Sequence, residues 1–475
     1  MQQSGVRSIL VNTLFLSGAR FTTILARLIY AIVIAKLLGP ELYGLFNYGL
    51  SWYLIFMPLS VIGTDFVLLR ELGRYDNNDE LLNTSLALRG ISCVMAACLC
   101  LGIGWTLESE DQMRSLLFVF SIALVGRGLS AWTNSVFKGY ESSHYVLKQE
   151  LLFRLLEVIL GIVLLTSGYN LLALAMVHAT SWLLQGIIGV AIIRKFLHPT
   201  IHPRWDVGIM IDLVKRGSPF LGAAFLLGWL LQGPLVLFRH LSKNDIALGQ
   251  LALSLQVFVL IGSIVAELST AALPVLSRSV KRQDGKTSQF VIAIFHGGWL
   301  LSGILIIAAL TIGGWAVELL FGTGFKPVET LLPWATAMVG PFFWCNNLRS
   351  VLAAQGQYGA VFWSNLTGAV IFTMAFFPSC AYFGTFGVFI ALGLGFVILV
   401  SIQFWGIRHT DPLGWIKSVV RPLIVISIAV LGCQVLMPMH PWYGLIFGLS
   451  TLCVASLATG LFSLREIRTV FKSLM

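Results

Sequence analysis

The chain predicts an all-α integral membrane protein of about fourteen transmembrane helices. Three observations carry this reading. Of 475 residues, 57% are hydrophobic and only 11% are charged. Mean hydropathy is +0.86, outside the range of soluble globular chains. Apolar runs, each long enough for the roughly 20 residues a spanning helix needs, fill almost the whole chain. Fourteen such helices use about 280 residues. No room is left for a soluble catalytic domain.

In order, the first spans are Ile9–Ala35, Leu45–Phe66, Thr84–Thr106, Leu116–Val136, Leu147–Thr166 and Leu171–Ile193. The next six are Pro219–Phe238, Leu248–Leu273, Val291–Ala316, Thr330–Leu352, Val361–Phe383 and Thr385–Ile407. Val420–Met437 and Trp442–Phe462 complete the set. Gly168 to Asn170 and Gly384 punctuate the two tightest turns. Mid-span prolines Pro58, Pro234 and Pro341 predict kinks. The first span reads as a retained signal anchor, since no small-residue cleavage site follows it.

Basic residues set the orientation. With the N-terminus cytoplasmic and the spans alternating, 22 of the 31 Lys and Arg fall to the cytoplasmic side. Five fall outside, and four (Arg20, Arg27, Arg127 and Arg154) lie deep within spans, while those near a span end, Arg89 among them, are counted with the side they adjoin. Both termini are therefore expected in the cytoplasm. Basic residues placed this way account for the net charge of +10 without nucleic acid as a partner. The seven cysteines lie in apolar segments with no C-x-x-C pair and read as small buried hydrophobes. His198 and His202 have the spacing of a helical metal pair, but Pro199 and Pro203 make the stretch a loop, so no metal is expected.

An internal repeat divides the chain. Leu37–Gly44 and His240–Gly249 each place an acidic residue shortly before a glycine and a long apolar helix, with the two glycines 205 residues apart. Gly139 and Gly356, before the fifth and eleventh helices, are 217 apart. Six helices per repeat preserve orientation, which suits two parallel lobes about an axis along the membrane normal. The expected domains are 1–200 (helices 1–6), 201–410 (helices 7–12) and 411–475 (two added helices).

Ionisable groups at membrane depth cost about 2.5–3.5 kcal/mol on insertion scales, so they face a cavity or a partner. Arg20 and Arg27 share one face of the first helix with Thr13 and Ser17. Arg127 aligns with Ser130, Asn134 and Lys138. Such arginines suit an anion, above all a diphosphate, through their permanent charge and fixed fork of donors. Glu150, Arg154 and Glu157 read as a self-neutralising triad. Glu267 and Asp65 are the candidate ion-coupling carboxylates, and His178 reads as a hydrogen-bonded interior residue.

The segment LLGPELYG, with Leu38, Gly39, Pro40, Glu41, Tyr43 and Gly44, resembles the hallmark of the polysaccharide (O-antigen) flippases. These belong to the multidrug/oligosaccharidyl-lipid/polysaccharide exporter (MOP) superfamily. Gly217–Leu230 and Glu267–Arg278 agree with that family, and the likeness covers about residues 8–410. The stretch Asp245–Gly249 departs from it, lacking the tyrosine before its glycine. The resemblance implies two six-helix lobes forming a V around a central cavity. It also implies alternating-access transfer of an undecaprenyl-pyrophosphate-linked oligosaccharide across a bacterial inner membrane, for O-antigen and lipopolysaccharide synthesis. Membrane lipids and other polysaccharide-assembly proteins are the expected partners, with no cofactor.

Two other readings remain open. A multidrug or cation efflux antiporter of the same superfamily should carry an acidic or aromatic cavity, whereas Arg20, Arg27 and Arg127 point to an anion. A membrane-embedded polymerase or glycosyltransferase generally needs a large outer loop or an acidic catalytic motif. The outer loops are short, and the acidic cluster Glu108, Glu110 and Asp111 lies beside no candidate base or metal site. There is no G-x-x-x-x-G-K-[ST] loop for ATP. A transporter rather than an enzyme is expected.

Overall fold

The computed structural model describes the backbone of residues 2–72, 79–198, 200–282, 286–407, 412–437 and 440–459. Within these, the side chains of residues 2–14, 17, 20, 27, 66, 265, 267–282, 286–291, 293 and 412–420 lie outside the description.

Every regular element among the described residues is helical. In chain order they are α1 (Gln2–Val61), α2 (Thr64–Leu72), α3 (Asp79–Leu107), α4 (Asp111–Gly139), α5 (His144–Thr166) and α6 (Leu171–Ile192). Then come α7 (Val207–Ser242), α8 (Asp245–Arg282), α9 (Lys286–Phe321), α10 (Val328–Ala337) and α11 (Val339–Ala354). The last are α12 (Tyr358–Phe383), α13 (Thr385–Gly406), α14 (Pro412–Leu436) and α15 (Pro441–Ala458).

These elements correspond to the expected fourteen spans. α1 is two limbs that meet at Gly39, whose φ of 69° only glycine adopts freely. Pro40 then opens the second limb, where a missing N–H does no harm. α10 and α11 form one span broken at Met338. Pro341 cannot donate to the carbonyl of Ala337. The Ser302 hydroxyl donates to that carbonyl instead, at 3.3 Å. Ten helices among the described residues are long and apolar enough to cross a membrane. α5 has the length but carries Glu150, Arg154 and Glu157 within its span.

The chain divides into two compact units, Met1–Gly249 and Gln250–Met475. The first therefore includes α7 and the start of α8. Within it, close approaches through glycine set the helix spacing. A Cβ on Gly126 of α4 would lie 2.4 Å from the Leu183 backbone nitrogen of α6. Further along α6, a Cβ on Gly189 would lie 2.6 Å from Thr133 Oγ1. The repeat-related glycines Gly44 and Gly249 pack on each other, a Cβ on Gly44 falling 2.6 Å from the Gly249 nitrogen. In the second unit, α12 meets α13 at Gly368, whose Cβ would fall 2.9 Å from the Gly395 carbonyl oxygen. Gly168 and Gly384, which end the fifth and eleventh spans, both have positive φ (82° and 57°), as their shared place in the repeat requires.

Two sequence readings are corrected. Cys98 and Cys453 are exposed on helix faces, while the other five cysteines are buried. Arg89, counted among the cytoplasmic charges, is buried at 1% exposure inside the first unit. His198 and residues 200–202 lie outside helices, as expected: His198 Nε2 lies 2.8 Å from Asp79 Oδ1, and His202 Nδ1 bonds the Thr200 carbonyl.

Candidate functional site

α5 has two faces. Leu151, Leu152, Leu155, Leu156, Ile159 and Leu160 are exposed, as a lipid-facing surface should be. Glu150, Arg154 and Glu157, spaced four and three apart, are buried on the other face. α6 presents a matching stripe of His178, Ser181 and Gln185, all buried. Arginine sits between the two carboxylates. Arg154 ion-pairs with Glu157, and its Nε lies 3.8 Å from Glu150 Oε2. Its Nη2 donates to Gln185 Oε1 at 2.9 Å and to Ser181 Oγ at 3.2 Å. Gln185 Nε2 donates to Glu150 Oε1 at 3.1 Å, and Thr23 of α1 donates to Glu150 Oε2 at 3.1 Å. One cation against two carboxylates leaves the triad with a formal charge of −1.

His178 extends this hub toward α4. Its Nδ1 lies 2.6 Å from Glu157 Oε1, and its Nε2 lies 3.4 Å from the Tyr53 hydroxyl on the second limb of α1. The same hydroxyl accepts a hydrogen bond from Arg127 Nη1. The Arg127 guanidinium also rests 5.0 Å from the Trp182 ring centre and 5.5 Å from that of Tyr53. Arg154 stacks on Trp182 as well, at 3.9 Å. The close α4–α6 approach at Gly126 puts the adjacent Arg127 beside Trp182. Trp182 is buried, and its indole N–H has no partner among the described residues.

Arg127 therefore differs from the buried arginines around it. Arg89, Arg154 and Arg239 each pair with at least one carboxylate. Arg127 has no carboxylate partner among the described residues. It is a half-buried cation held only by aromatic groups and a hydroxyl.

The other sequence candidates are placed as follows. Arg20 and Arg27 lie on the first limb of α1, seven residues apart in sequence, and their side chains are outside the described residues. So is that of Glu267 on α8. Asp65 opens α2 and ion-pairs with Arg89, which also donates to Thr64 Oγ1 at 3.0 Å and to the Gly128 carbonyl at 3.3 Å. To take up a cation, Asp65 must leave that arginine. The acidic group Glu108, Glu110 and Asp111 has partners that its sequence neighbourhood does not show. Arg239, at the end of α7, pairs with Glu110 at 3.0 Å, with Asp245 and, at 3.9 Å, with Glu108. Tyr48 donates to Glu108, and His240 Nε2 lies 3.3 Å from the Tyr48 hydroxyl.

The sequence pattern of a family described as polysaccharide biosynthesis protein matches residues 9–280, more than half of the chain. The chain belongs to this family. No curated protein matches it. Among solved structures, this polysaccharide biosynthesis protein is similar to the lipid II flippase MurJ in an inward closed conformation. The TM-score is 0.70 at 14% identity, over 94% of this chain and 98% of that one. An inward-facing multidrug resistance MATE transporter of the MOP superfamily aligns with TM-score 0.64 at 12% identity, over 83% of this chain and 97% of that one. A MOP superfamily transporter from Pyrococcus furiosus, described as having a binding pocket of reverse polarity, aligns with TM-score 0.53 at 13% identity, over 84% and 94%. What these likenesses share with the polysaccharide biosynthesis protein is the fold of a multi-pass membrane protein.

Sequence reading found Arg127 and the pairing within the α5 triad of this family member, but not their contacts on other helices. Tyr53 and Gln185 carried no signal of their own. Each is an ordinary residue of an apolar span, and only the packing of α1, α4, α5 and α6 gives it a role.

Proposed function

We propose that this polysaccharide biosynthesis protein is a flippase of lipid-linked oligosaccharides, and that Arg127 holds the diphosphate of its substrate. The observation that carries the reading is Arg127 itself. An arginine at membrane depth costs about 2.5–3.5 kcal/mol and is retained where it meets a partner. This one has none of opposite charge among the described residues, and an unspent Trp182 N–H lies beside it. An anionic headgroup supplies the missing partner. Arg20 and Arg27 enter the proposal on their seven-residue spacing alone, as further donors to the diphosphate.

The substrate is an undecaprenyl-pyrophosphate-linked repeat unit of a surface polysaccharide such as O-antigen. Alternating access between two lobes, 1–200 and 201–410, moves it across the bacterial inner membrane. Both termini are cytoplasmic, so a reporter fused after Met475 that works only outside the membrane overturns that orientation. Cation efflux is the weaker reading. It needs an unpaired carboxylate at membrane depth, and among the described side chains the candidates Glu150, Glu157 and Asp65 each have an arginine.

The test is complementation of a strain lacking the gene. Wild-type chain restores surface glycan, and its absence leaves the lipid-linked unit inside. A charge-assisted hydrogen bond contributes about 1.5–3 kcal/mol, so Arg127→Ala weakens substrate binding roughly 10- to 150-fold. Arg127→Lys keeps the charge, loses the fork and retains part of the activity. Full export by a stably expressed Arg127→Ala chain refutes the assignment.

A further inference from the structure

The hub beside Arg127 holds more than an ion pair needs. We infer that Glu157 and His178 form a proton-binding site whose occupancy is tied, through the Tyr53 hydroxyl, to anion binding at Arg127. The link rests on reading Arg127 as the anion site; the proton site does not.

The chemistry follows from the partners of one oxygen. A neutral His178 donates from Nδ1 to Glu157 and presents a bare Nε2. Tyr53 then donates its hydrogen to that nitrogen while accepting from Arg127. Protonation reverses the arrangement. Nε2 gains a hydrogen and donates to the Tyr53 oxygen, which must turn its own hydrogen elsewhere. Arg127 is the hydroxyl's other hydrogen-bond partner among the described residues, and that hydrogen therefore meets a cation. An anionic oxygen held by Arg127 gives it an acceptor. Proton uptake and anion binding thus each remove the obstacle to the other.

Charge gives the same sign. The groups facing His178 are Tyr53 from α1, Arg127 and Phe120 from α4, Glu157 with Arg154 and Glu150 behind it from α5, and Trp182 on α6 itself. Glu150, Glu157, Arg154 and Arg127 sum to zero. A proton on His178 makes the cluster cationic, which low-dielectric surroundings disfavour. A diphosphate at Arg127 makes it anionic, and the proton then offsets part of that charge. Linkage is reciprocal, so protonation tightens anion binding by the factor by which the anion tightens proton binding.

The experiment uses the full chain in phosphatidylcholine nanodiscs, with undecaprenyl pyrophosphate as the probe. Titration calorimetry near pH 7, in two buffers of different protonation enthalpy, counts protons taken up per lipid bound. Wild type takes up a fraction of a proton, and its affinity rises as pH falls, by at most about tenfold per pH unit. His178→Gln binds with no uptake and no pH slope. Tyr53→Phe binds, but with at least half of the uptake lost. Binding by wild type without uptake, or undiminished uptake in His178→Gln, overturns the proposal.

If wild type does not bind the probe, the anion reading of Arg127 fails, and with it the link. The proton site is then judged alone, by nitrogen NMR of labelled histidines in the ligand-free protein. The His178 signal, assigned by its loss in His178→Gln, should show a protonated form that Glu157→Gln, which removes the partner of Nδ1, diminishes. A His178 that stays neutral down to pH 5 removes the site. Should His178→Gln not fold, the wild-type and Tyr53→Phe measurements decide, and uptake unchanged by Tyr53→Phe counts against the link.

Discussion

Helices α4–α6 of the first unit and α11–α13 of the second hold corresponding places in the repeat and are filled in opposite ways. The 217-residue offset of Gly139 and Gly356 pairs Arg127 with Trp344, Arg154 with Ile371, Glu157 with Met374 and His178 with Gly395. The 205-residue offset of Gly44 and Gly249 pairs Tyr53 with Phe258. Phe258 lies edge-on to Phe342 at 5.6 Å and to Phe396 at 6.3 Å. Among the described residues, none of the buried ones in the second unit is charged. One helical plan therefore packs with phenylalanine or with an ionic hub. Since apolar replacement of a buried ion pair is often neutral or stabilising, stability is a poor reason to keep the hub. Under the proposed function, its charges are kept for transport.

The largest effect should come from breaking the hub unevenly. Arg154→Leu leaves Glu150 and Glu157 buried without their cation and should cost about 3–5 kcal/mol, seen as a drop in the thermal unfolding midpoint in detergent. The triple change Glu150→Thr, Arg154→Ile and Glu157→Met installs the residues of the second unit. It should recover most of that stability and still fail in glycan export. A triple variant that exports normally removes the functional distinction between the two regions.

Arg239→Gln asks whether any buried charge in the first unit matters equally. Its carboxylate partners are unevenly covered: Glu108 is buried and Glu110 is exposed. Hydrogen bonds to charged groups contribute about 1.5–3 kcal/mol, so a stability loss of about 2–3 kcal/mol is expected. Export per folded molecule should change little, because Arg239 lies outside the hub. A loss of export as deep as that of the triple variant would show that charge at the helix ends matters as much as the hub.

Glycine contacts should behave alike in both units. Gly126→Val forces α4 from the α6 backbone, and Gly368→Val forces α12 from α13. Each should destabilise by about 1–3 kcal/mol, the usual range for overpacking. Only Gly126→Val moves Arg127 from Trp182, so only it should also weaken diphosphate binding. Equal binding losses in both variants would place the effect in general helix spacing.

Spacing within one helix was readable from sequence, and contact between helices was not. The i, i+4, i+7 order of Glu150, Arg154 and Glu157 gave their shared face, and Leu38-Gly39-Pro40 gave the break in α1. Tyr53, by contrast, reaches His178 across 125 residues, and Thr23 reaches Glu150 across 127. No periodicity carries such pairings, because they depend on which faces of separate helices meet. Asp65 shows the consequence. On its own it is a carboxylate near membrane depth and a fair coupling candidate, but Arg89, one span later, already holds it. The outer acidic group was misread for the same reason, since its cation arrives from α7.

The finest test exchanges one oxygen atom between the two regions. Tyr53→Phe keeps the ring stacked on Phe120, now 5.8 Å away and nearly parallel, so packing survives. It removes a hydroxyl that serves Arg127 and His178, which should cost only about 1 kcal/mol, the net worth of a typical hydrogen bond. Phe258→Tyr places a hydroxyl beside the rings of Phe342 and Phe396, and should cost about 1–3 kcal/mol, the desolvation penalty of an unpaired group. The stability order and the export order should therefore run in opposite directions. Phe258→Tyr should be the less stable and the better exporter, while Tyr53→Phe should fold nearly as wild type, export less and lose most of the wild-type dependence of export on pH. Unfolding midpoints and glycan export at two pH values measure both orders on the same preparations. If Tyr53→Phe exports as wild type does at both, the Tyr53 hydroxyl is a packing detail. The contrast between a working first unit and an aromatic second unit would then rest on Arg127 and the α5 triad alone.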